Sequence, residues 1–417
     1  MNLPKIEDLK LIFRAFKYRN YRLFFTGQGI SLIGTWMQRI AMSWLVFRLT
    51  NSSFLLGLVG FTSQIPTFIL CPFAGVIADR VDRLRIMIVT QILSMIQAGI
   101  LAFLVISNRI SVWHVVILSV ILGMVTAFDI PSRQSFIIKM VDKREDLGNA
   151  IAMNSFMFNS ARLIGPSLAG IIISAFGDGI CFLLNAISYI AIISALFAMK
   201  VKPDERAKSN NRILEDLKIG SAYTFGIPPI RNVLLLLGLV QFVGMPYTVL
   251  MPLFAKNILG GDANTLGFLM AGVGCGALFG AIFLASRKNA QGLDRIIPMA
   301  STIFGIGLIF FSLSRVFATS LLLISLCGFG MMVQMASCNT VLQTIIDDDK
   351  RGRVMSFYTM AFMGPAPFGS LLGGWAASHI GAPNTLIIGG IISILGAVIF
   401  ATKSPSLRRM LELNTEF

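Results

Sequence analysis

Charge is scarce in this sequence, and acid is scarcer than base. Asp, Glu, Lys and Arg together make up 13% of 417 residues, against about a quarter in a soluble globular domain. That deficit argues against a water-facing surface around a chain of this length. Histidine is almost missing. His114 and His379 sit near the ends of apolar runs, far apart in sequence, so a histidine-built metal site is not expected. The five cysteines, Cys71, Cys181, Cys275, Cys327 and Cys338, fall inside apolar runs without ligand spacing or a pairing framework. They read as small packing residues. No nucleotide-binding motif is present, so neither a resident cofactor nor ATP coupling within the chain is expected. An embedded enzyme would need a convergent Ser/His, Asp/Asp or His/Glu set. One embedded acid and two end-placed histidines do not supply it.

What the chain does have is hydrocarbon, at 55% hydrophobic residues. Phe54 to Ala78 carries no charged residue, and neither does Val316 to Ile346. A helix crosses the hydrocarbon core with about 20 apolar residues, and its backbone groups must be bonded within the segment. Apolar runs predict helices at 22–48, 53–78, 86–107, 111–136, 147–175, 179–199, 231–255, 263–286, 295–314, 317–346, 354–379 and 384–402. The reading is an all-α integral membrane protein with 12 transmembrane helices, its lipid bilayer being its first partner. The basic segment 1–22 is polar for too long to be a cleaved signal peptide, so insertion through the first span is expected.

A net charge of +15 raises the question of nucleic acid, but the basic residues occupy short loops rather than one face. Nucleic acid is therefore not an expected partner. With a cytoplasmic N-terminus, the inside segments hold 29 Lys and Arg and the outside segments hold 4, leaving Arg39 and Arg162 within spans. Cytoplasmic loops of membrane proteins are enriched in such residues, which predicts both termini inside, in a bacterial inner membrane. The longest polar stretch lies between spans six and seven. It divides the chain into an N-terminal bundle (1–199), a cytoplasmic linker (200–230) and a C-terminal bundle (231–417). An internal repeat supports two pseudo-symmetric six-helix bundles. Gly123 with Asp142-Lys143-Arg144 matches Gly330 with Asp349-Lys350-Arg351 at an offset of 207, and Gly165 and Gly170 match Gly369 and Gly374 at 204. Two repeated halves place a substrate site near the midplane between them.

The loop after span two reads Gly75-Val-Ile-Ala-Asp79-Arg80-Val-Asp82-Arg83-Leu84-Arg85. It resembles the loop signature of the major facilitator superfamily, departing from it at Asp82, where a second glycine is usual, and at Leu84, a usually basic position. The resemblance implies a major facilitator fold and a cytoplasmic gate in which Gly75, Asp79, Arg80 and Arg83 stabilise one access state. Arg351 and Arg353, before span eleven, join them. The alternative is a solvated loop whose arginines only enforce topology. Further segments are similar to the enterobactin exporter and macrolide efflux group of bacterial transporters. They are Gly34-Thr35-Trp36-Met37-Gln38, Trp44-Leu45-Val46, Ala127 to Gln134, Asn149-Ala150, Asn154-Ser155, and Arg162 followed by Gly165-Pro166. Gly165-Pro166 also resembles the glycine-proline signature of exporters, implying a helix bend, beside a plain reading of close helix packing.

Ionisable residues inside a membrane are expensive and mark function by default. Those within spans are Arg39, Asp129, Arg133 and Arg162. Asp129 and Arg133 stand four apart on one helical face and can pair. Burial favours the neutral acid and a neighbouring cation the carboxylate, so Asp129 reads either as a proton carrier or as a clasp with Arg133 beside Pro131. Arg39 and Arg162 have no acid at their estimated depth, and suit either amide and carbonyl partners or an anionic substrate. Polar candidates for the substrate cavity are Gln28, Thr35, Gln38 and Asn154 in the first half. Gln241, Tyr247, Gln334, Met335 and Asn339 are the candidates in the second. Polar groups among methionine and aromatic side chains suit a large amphipathic ligand, and helix packing explains them otherwise.

The expected function is alternating-access export of a small anionic or amphipathic molecule, siderophore-like or drug-like, against protons, by a monomer. An importer, an exporter of lipid or metal ions, and a non-transporting receptor are the alternatives. A linker of about 30 residues is short for a sensor domain.

Overall fold

The computed structural model describes residues 14–141, 143–201, 223–287 and 291–415, with the backbone alone at residues 72, 75, 76, 78–80, 144, 348, 349 and 412–415. Among the described residues there is no strand. The first half contains α1 (Arg19–Thr50), α2 (Ser53–Arg80), α3 (Arg83–Ile106), α4 (Val112–Phe136), α5 (Leu147–Phe176) and α6 (Asp178–Ala198). The second contains α7 (Pro228–Leu253), α8 (Ala263–Ala285), α9 (Leu293–Leu313), α10 (Phe317–Ile345), α11 (Asp348–Met363), α12 (Pro365–Ile380) and α13 (Ala382–Thr415). Ten of these helices are long and apolar enough to cross a membrane. The eleventh predicted span is two helices because Pro365 and Pro367 carry no N–H to extend α11 past Gly364. The last helix outruns its apolar segment and continues into the basic tail as far as Thr415.

Local chemistry explains the ends. Asp82 caps α3, its side chain accepting from the Leu84 amide at 2.9 Å. Asp262 caps α8 through the Thr265 amide at 3.2 Å. Gly177, at φ +82°, separates α5 from α6, and Gly381, at φ +83°, separates α12 from α13. Only glycine takes that left-handed turn without cost. The two stand 204 residues apart, the repeat offset already seen in the sequence.

Contacts divide the chain into two compact units, Met1–Leu45 with Ile65–Ser209, and Val46–Gln64 with Asn210–Phe417. In the first unit, α3 packs on α4 and α6, and α5 packs on α6. Glycine sets how closely α1 lies on α6. A Cβ at Gly27 would stand 2.9 Å from the Ala191 carbonyl oxygen, and one at Gly34 would stand 2.5 Å from Ser188 Oγ. Ahead of α1, a short 3-10 turn (Arg14–Lys17) is pinned to the start of α5. The Ala15 amide donates to Asn149 Oδ1 at 2.9 Å, Tyr18 donates to Asp146 at 2.7 Å, and Lys17 pairs with Asp146 at 2.5 Å. The Lys17 ammonium holds the Asp146 carboxyl below the ordinary carboxylate value, with help from the Tyr18 hydroxyl. Asp146 in turn raises Lys17.

In the second unit, α10 packs against α8 and α9, α13 against α7 and α9, and α12 against α7. Gly305 and Gly390 face each other, each hypothetical Cβ lying 2.6 Å from the other's carbonyl oxygen. The hairpin tip Val46–Gln64 belongs here by its contacts. A Cβ on Gly57 would stand 2.6 Å from the Ser370 carbonyl oxygen, and Phe61 meets Phe368 edge-on at 5.9 Å.

The repeat has a packing counterpart. A Cβ at Gly165, on α5, would lie 2.9 Å from the Ile33 carbonyl oxygen of α1, and one at Gly369, on α12, would collide with the Phe242 carbonyl oxygen of α7. Large side chains such as Phe176 and Leu322 are 72% and 73% exposed. Such an outward apolar surface is what a lipid solvent requires.

Candidate functional site

Polar residues inside the first unit form two connected groups. In the first, Gln38 of α1 is 2% exposed and donates to Gln97 Oε1 of α3 at 2.9 Å. Asn185 of α6 donates to Gln38 Oε1 at 2.7 Å, and Gln97 donates onward to the Leu118 carbonyl of α4 at 3.2 Å. Four helices are joined through three amides. Each amide has a partner, so the group rigidifies the bundle rather than waiting for a ligand. Gln38 is thereby a structural residue in this geometry. Thr35 bonds back to the Ser31 carbonyl at 2.9 Å and lies 3.4 Å from the Tyr189 hydroxyl.

The second group surrounds Asp129 on α4. Its carboxylate lies 3.4 Å from Arg133 Nε, and accepts from Gln91 Nε2 at 2.8 Å and Thr90 Oγ1 at 3.2 Å on α3. Asp129 and Arg133 are 14% and 18% exposed in their side chains. The pairing expected from their spacing is present, and two neutral donors from a neighbouring helix complete it.

The arginines without an acid at their depth find an indole instead of amides. The Arg39 guanidinium carbon lies 4.7 Å from the centre of the Trp36 ring, and that of Arg162 lies 5.9 Å from the same ring. The ring's electron-rich face attracts both. Trp36 meets Phe158 edge-on at 5.9 Å, and a Cβ on Gly165 would reach its Cβ at 2.5 Å, so α5 abuts the indole directly. Pro166 lies inside an unbroken α5. Asn154 is half-buried on that helix, and Gln28 on α1 is buried with its Oε1 unpartnered.

In the second unit, the candidates on α7 and α10 serve different neighbours. Tyr247, fully buried, points its hydroxyl at Met331 Sδ, 3.8 Å away. The Met335 carbonyl accepts from the Tyr358 hydroxyl at 3.2 Å, and Asn339 Oδ1 accepts from Gln343 one turn on at 2.9 Å. Gln241 donates to the Phe362 carbonyl at 3.1 Å while its Oε1 has no partner. Gln334 is wholly buried with neither amide atom bonded, and Ser337 Oγ beside it is likewise unsatisfied.

Of the residues assigned to a gate, Arg83 is half-buried and Arg351 and Arg353 are exposed on the first turns of α11. The side chains of Asp79 and Arg80 lie outside the described residues. The sequence reading passed over Thr90, Gln91, Gln97, Asn185, Ser188 and Tyr189. Their spacing on α3 and α6 is a polar stripe at helical period, the same signal that singled out α1. Among the described residues no group of His, Cys, Asp and Glu is placed to hold a metal ion.

These helices, with their internal ion pair and stacked arginines, define a multi-pass membrane transporter of the major facilitator fold. Residues 12–415 match the model of the transmembrane secretion effector family, and the chain belongs to that family. It is a transporter of small molecules and not an enzyme. It is 26% identical over 395 residues to the staphyloferrin A transporter of Staphylococcus aureus, covering 94% of this chain and 98% of that protein. It is 24% identical over 399 residues to macrolide efflux protein A of Streptococcus pyogenes, covering 92% and 96%. The crystal structure of a D-xylose-proton symporter superposes with a TM-score of 0.72 at 16% identity, covering 92% of this chain and 97% of that one. That last likeness speaks to the fold alone.

Proposed function

We propose that this chain exports a small anionic or amphipathic molecule across a bacterial cytoplasmic membrane in exchange for protons. Asp129 takes and releases the proton. One observation carries this reading: the described acid set deep within a span is paired with Arg133 and also held by the neutral donors Gln91 and Thr90. An ion pair backed by neutral donors can be opened and the acid protonated without stranding its neighbours. Arg133, on the same wall of α4, takes up the pair again when the proton leaves. The bundles 1–199 and 231–417 rock about this wall and its counterpart. Export as the direction rests on macrolide efflux protein A, whose name states efflux. The distribution of Lys and Arg puts both termini and the linker in the cytoplasm, where Asp79, Arg80, Arg83, Arg351 and Arg353 form the gate.

The test begins with the medium of cells with and without the gene, profiled under iron limitation and iron excess. Compounds lost from the medium of deficient cells are then offered to inverted membrane vesicles carrying an acid-inside pH gradient. The wild type accumulates them faster with the gradient than without it. Asp129→Asn removes that acceleration. Gradient-driven accumulation that survives Asp129→Asn overturns the proton role.

A further inference from the structure

Three arginines and one aspartate stand well inside the described spans of the first unit, and they do not balance. Asp129 is taken by Arg133 at 3.4 Å. Arg39 and Arg162 have no carboxylate among the described residues. Arg39 lies over the Trp36 ring, which packs against α5 through Phe158 and Gly165. Arg39 is thereby turned towards α5. It is nonetheless accessible, between Gln38 and Ile40, which are buried.

The two unbalanced cations also converge. Both lie against one indole, at 4.7 and 5.9 Å from its centre. Their guanidinium carbons therefore stand within about 11 Å of each other, the span two ring contacts allow. Trp36 is a fixed platform, gripped by Phe158 and by the backbone of α5 at Gly165. Like charges gathered in a low-dielectric wall repel each other and attract anions. Nothing in an amphipathic neutral ligand would offset them, and a cation would be rejected.

We infer that Trp36, Arg39 and Arg162 form a recognition site for a compact polycarboxylate, each guanidinium taking one carboxylate through paired N–H donors. The fork of a guanidinium matches the two oxygens of a carboxylate. A ligand with a single negative charge leaves one arginine unanswered, so charge number is the basis of selection. This assignment deepens the transport reading and names its substrate class: a soluble molecule bearing at least two carboxylates a few ångströms apart.

Purified protein in detergent is titrated with citrate as the polycarboxylate probe, and with acetate, inorganic phosphate and a dispersed anionic phospholipid in parallel. Citrate binds, acetate binds at least tenfold more weakly, and the citrate affinity falls as salt is raised. Arg39→Gln and Arg162→Gln each weaken citrate at least tenfold. Arg39→Lys, which keeps the charge and loses the fork, falls between and serves if the glutamine variant does not fold. Equal citrate affinity in the wild type and both glutamine variants overturns the site, as does binding of acetate with citrate's strength. Phosphate or phospholipid binding that excels citrate and depends on both arginines reassigns the site to phosphate and overturns the polycarboxylate. Asp129→Asn retains citrate binding, so proton-driven transport that survives in that variant condemns the coupling reading and leaves this one standing.

Discussion

Gly165 and Trp36 are in backbone-to-side-chain contact: a Cβ placed on the glycine would lie 2.5 Å from the Trp36 Cβ and 2.9 Å from the Ile33 carbonyl oxygen. Neither neighbour is the loose end of a flexible chain. Gly165→Ala therefore forces α5 away from α1, at a cost of about 1–3 kcal/mol, and displaces the indole on which Arg39 and Arg162 rest. Thermal unfolding of the purified variant should show the loss. Gly99→Ala in α3, where nothing lies within 4 Å, should stabilise instead, by about 0.5–1 kcal/mol.

Gln38 holds two other amides, so its removal is felt twice. Gln38→Leu leaves Gln97 Oε1 and Asn185 Nδ2 buried without a partner, each at about 1–3 kcal/mol. The variant should unfold at a distinctly lower temperature than wild type. An unchanged Tm would mean that water replaces the lost amide.

Gln334 presents the opposite case. Both atoms of its amide are already unbonded in a wholly buried site. Gln334→Met keeps the side-chain volume and removes the unmet polar groups, which is neutral or stabilising. Its Tm should equal or exceed that of wild type, and a fall of more than about 1 kcal/mol would reveal a hidden partner.

The Lys17–Asp146 pair gives a pH signature outside the membrane. The Asp146 carboxyl sits below its ordinary value of 3.8, so its contribution is complete above that value and is lost as pH falls through the native one. The Lys17 ammonium sits above 10.5, so its contribution is complete below that value and is lost as pH rises through the native one. The Tm difference between wild type and Asp146→Asn should be level from about pH 5 to 9 and close in stronger acid. A gap that widens towards low pH would contradict the assignment.

How far the sequence speaks depends on which physical signal a residue carries. Helix existence follows from hydrocarbon length, and predicted boundaries such as 147–175 and 317–346 lie within a residue of Leu147–Phe176 and Phe317–Ile345. A bend at Gly364 is legible in Pro365 and Pro367, while the continuous apolar run hides that one helix ends there. The Asp129–Arg133 pair followed from spacing along one helix. The stacking of Arg39 and Arg162 on Trp36 did not, because it depends on how α1 and α5 are rotated about their axes, and one sequence holds no record of that. The amide chain from Asn185 to Gln97 crosses three helices and was hidden for the same reason. Asp82 looked like a departure from a loop pattern and is a helix cap.

The interruption at Gly364 has a mechanical consequence. Helix α11 is a rod of 16 residues, about 24 Å long at 1.5 Å per residue. It is joined to the rod of α12 at one glycine, with prolines on the far side that cannot bridge the joint by hydrogen bonds. Each degree of rotation there carries the Asp348 end by about 0.4 Å, so a ten-degree swing displaces it by about a side chain's width. A strut beside the joint is the bond from Gln241 to the Phe362 carbonyl. A leverage of that kind lets a small adjustment at one amide be read at the membrane's edge.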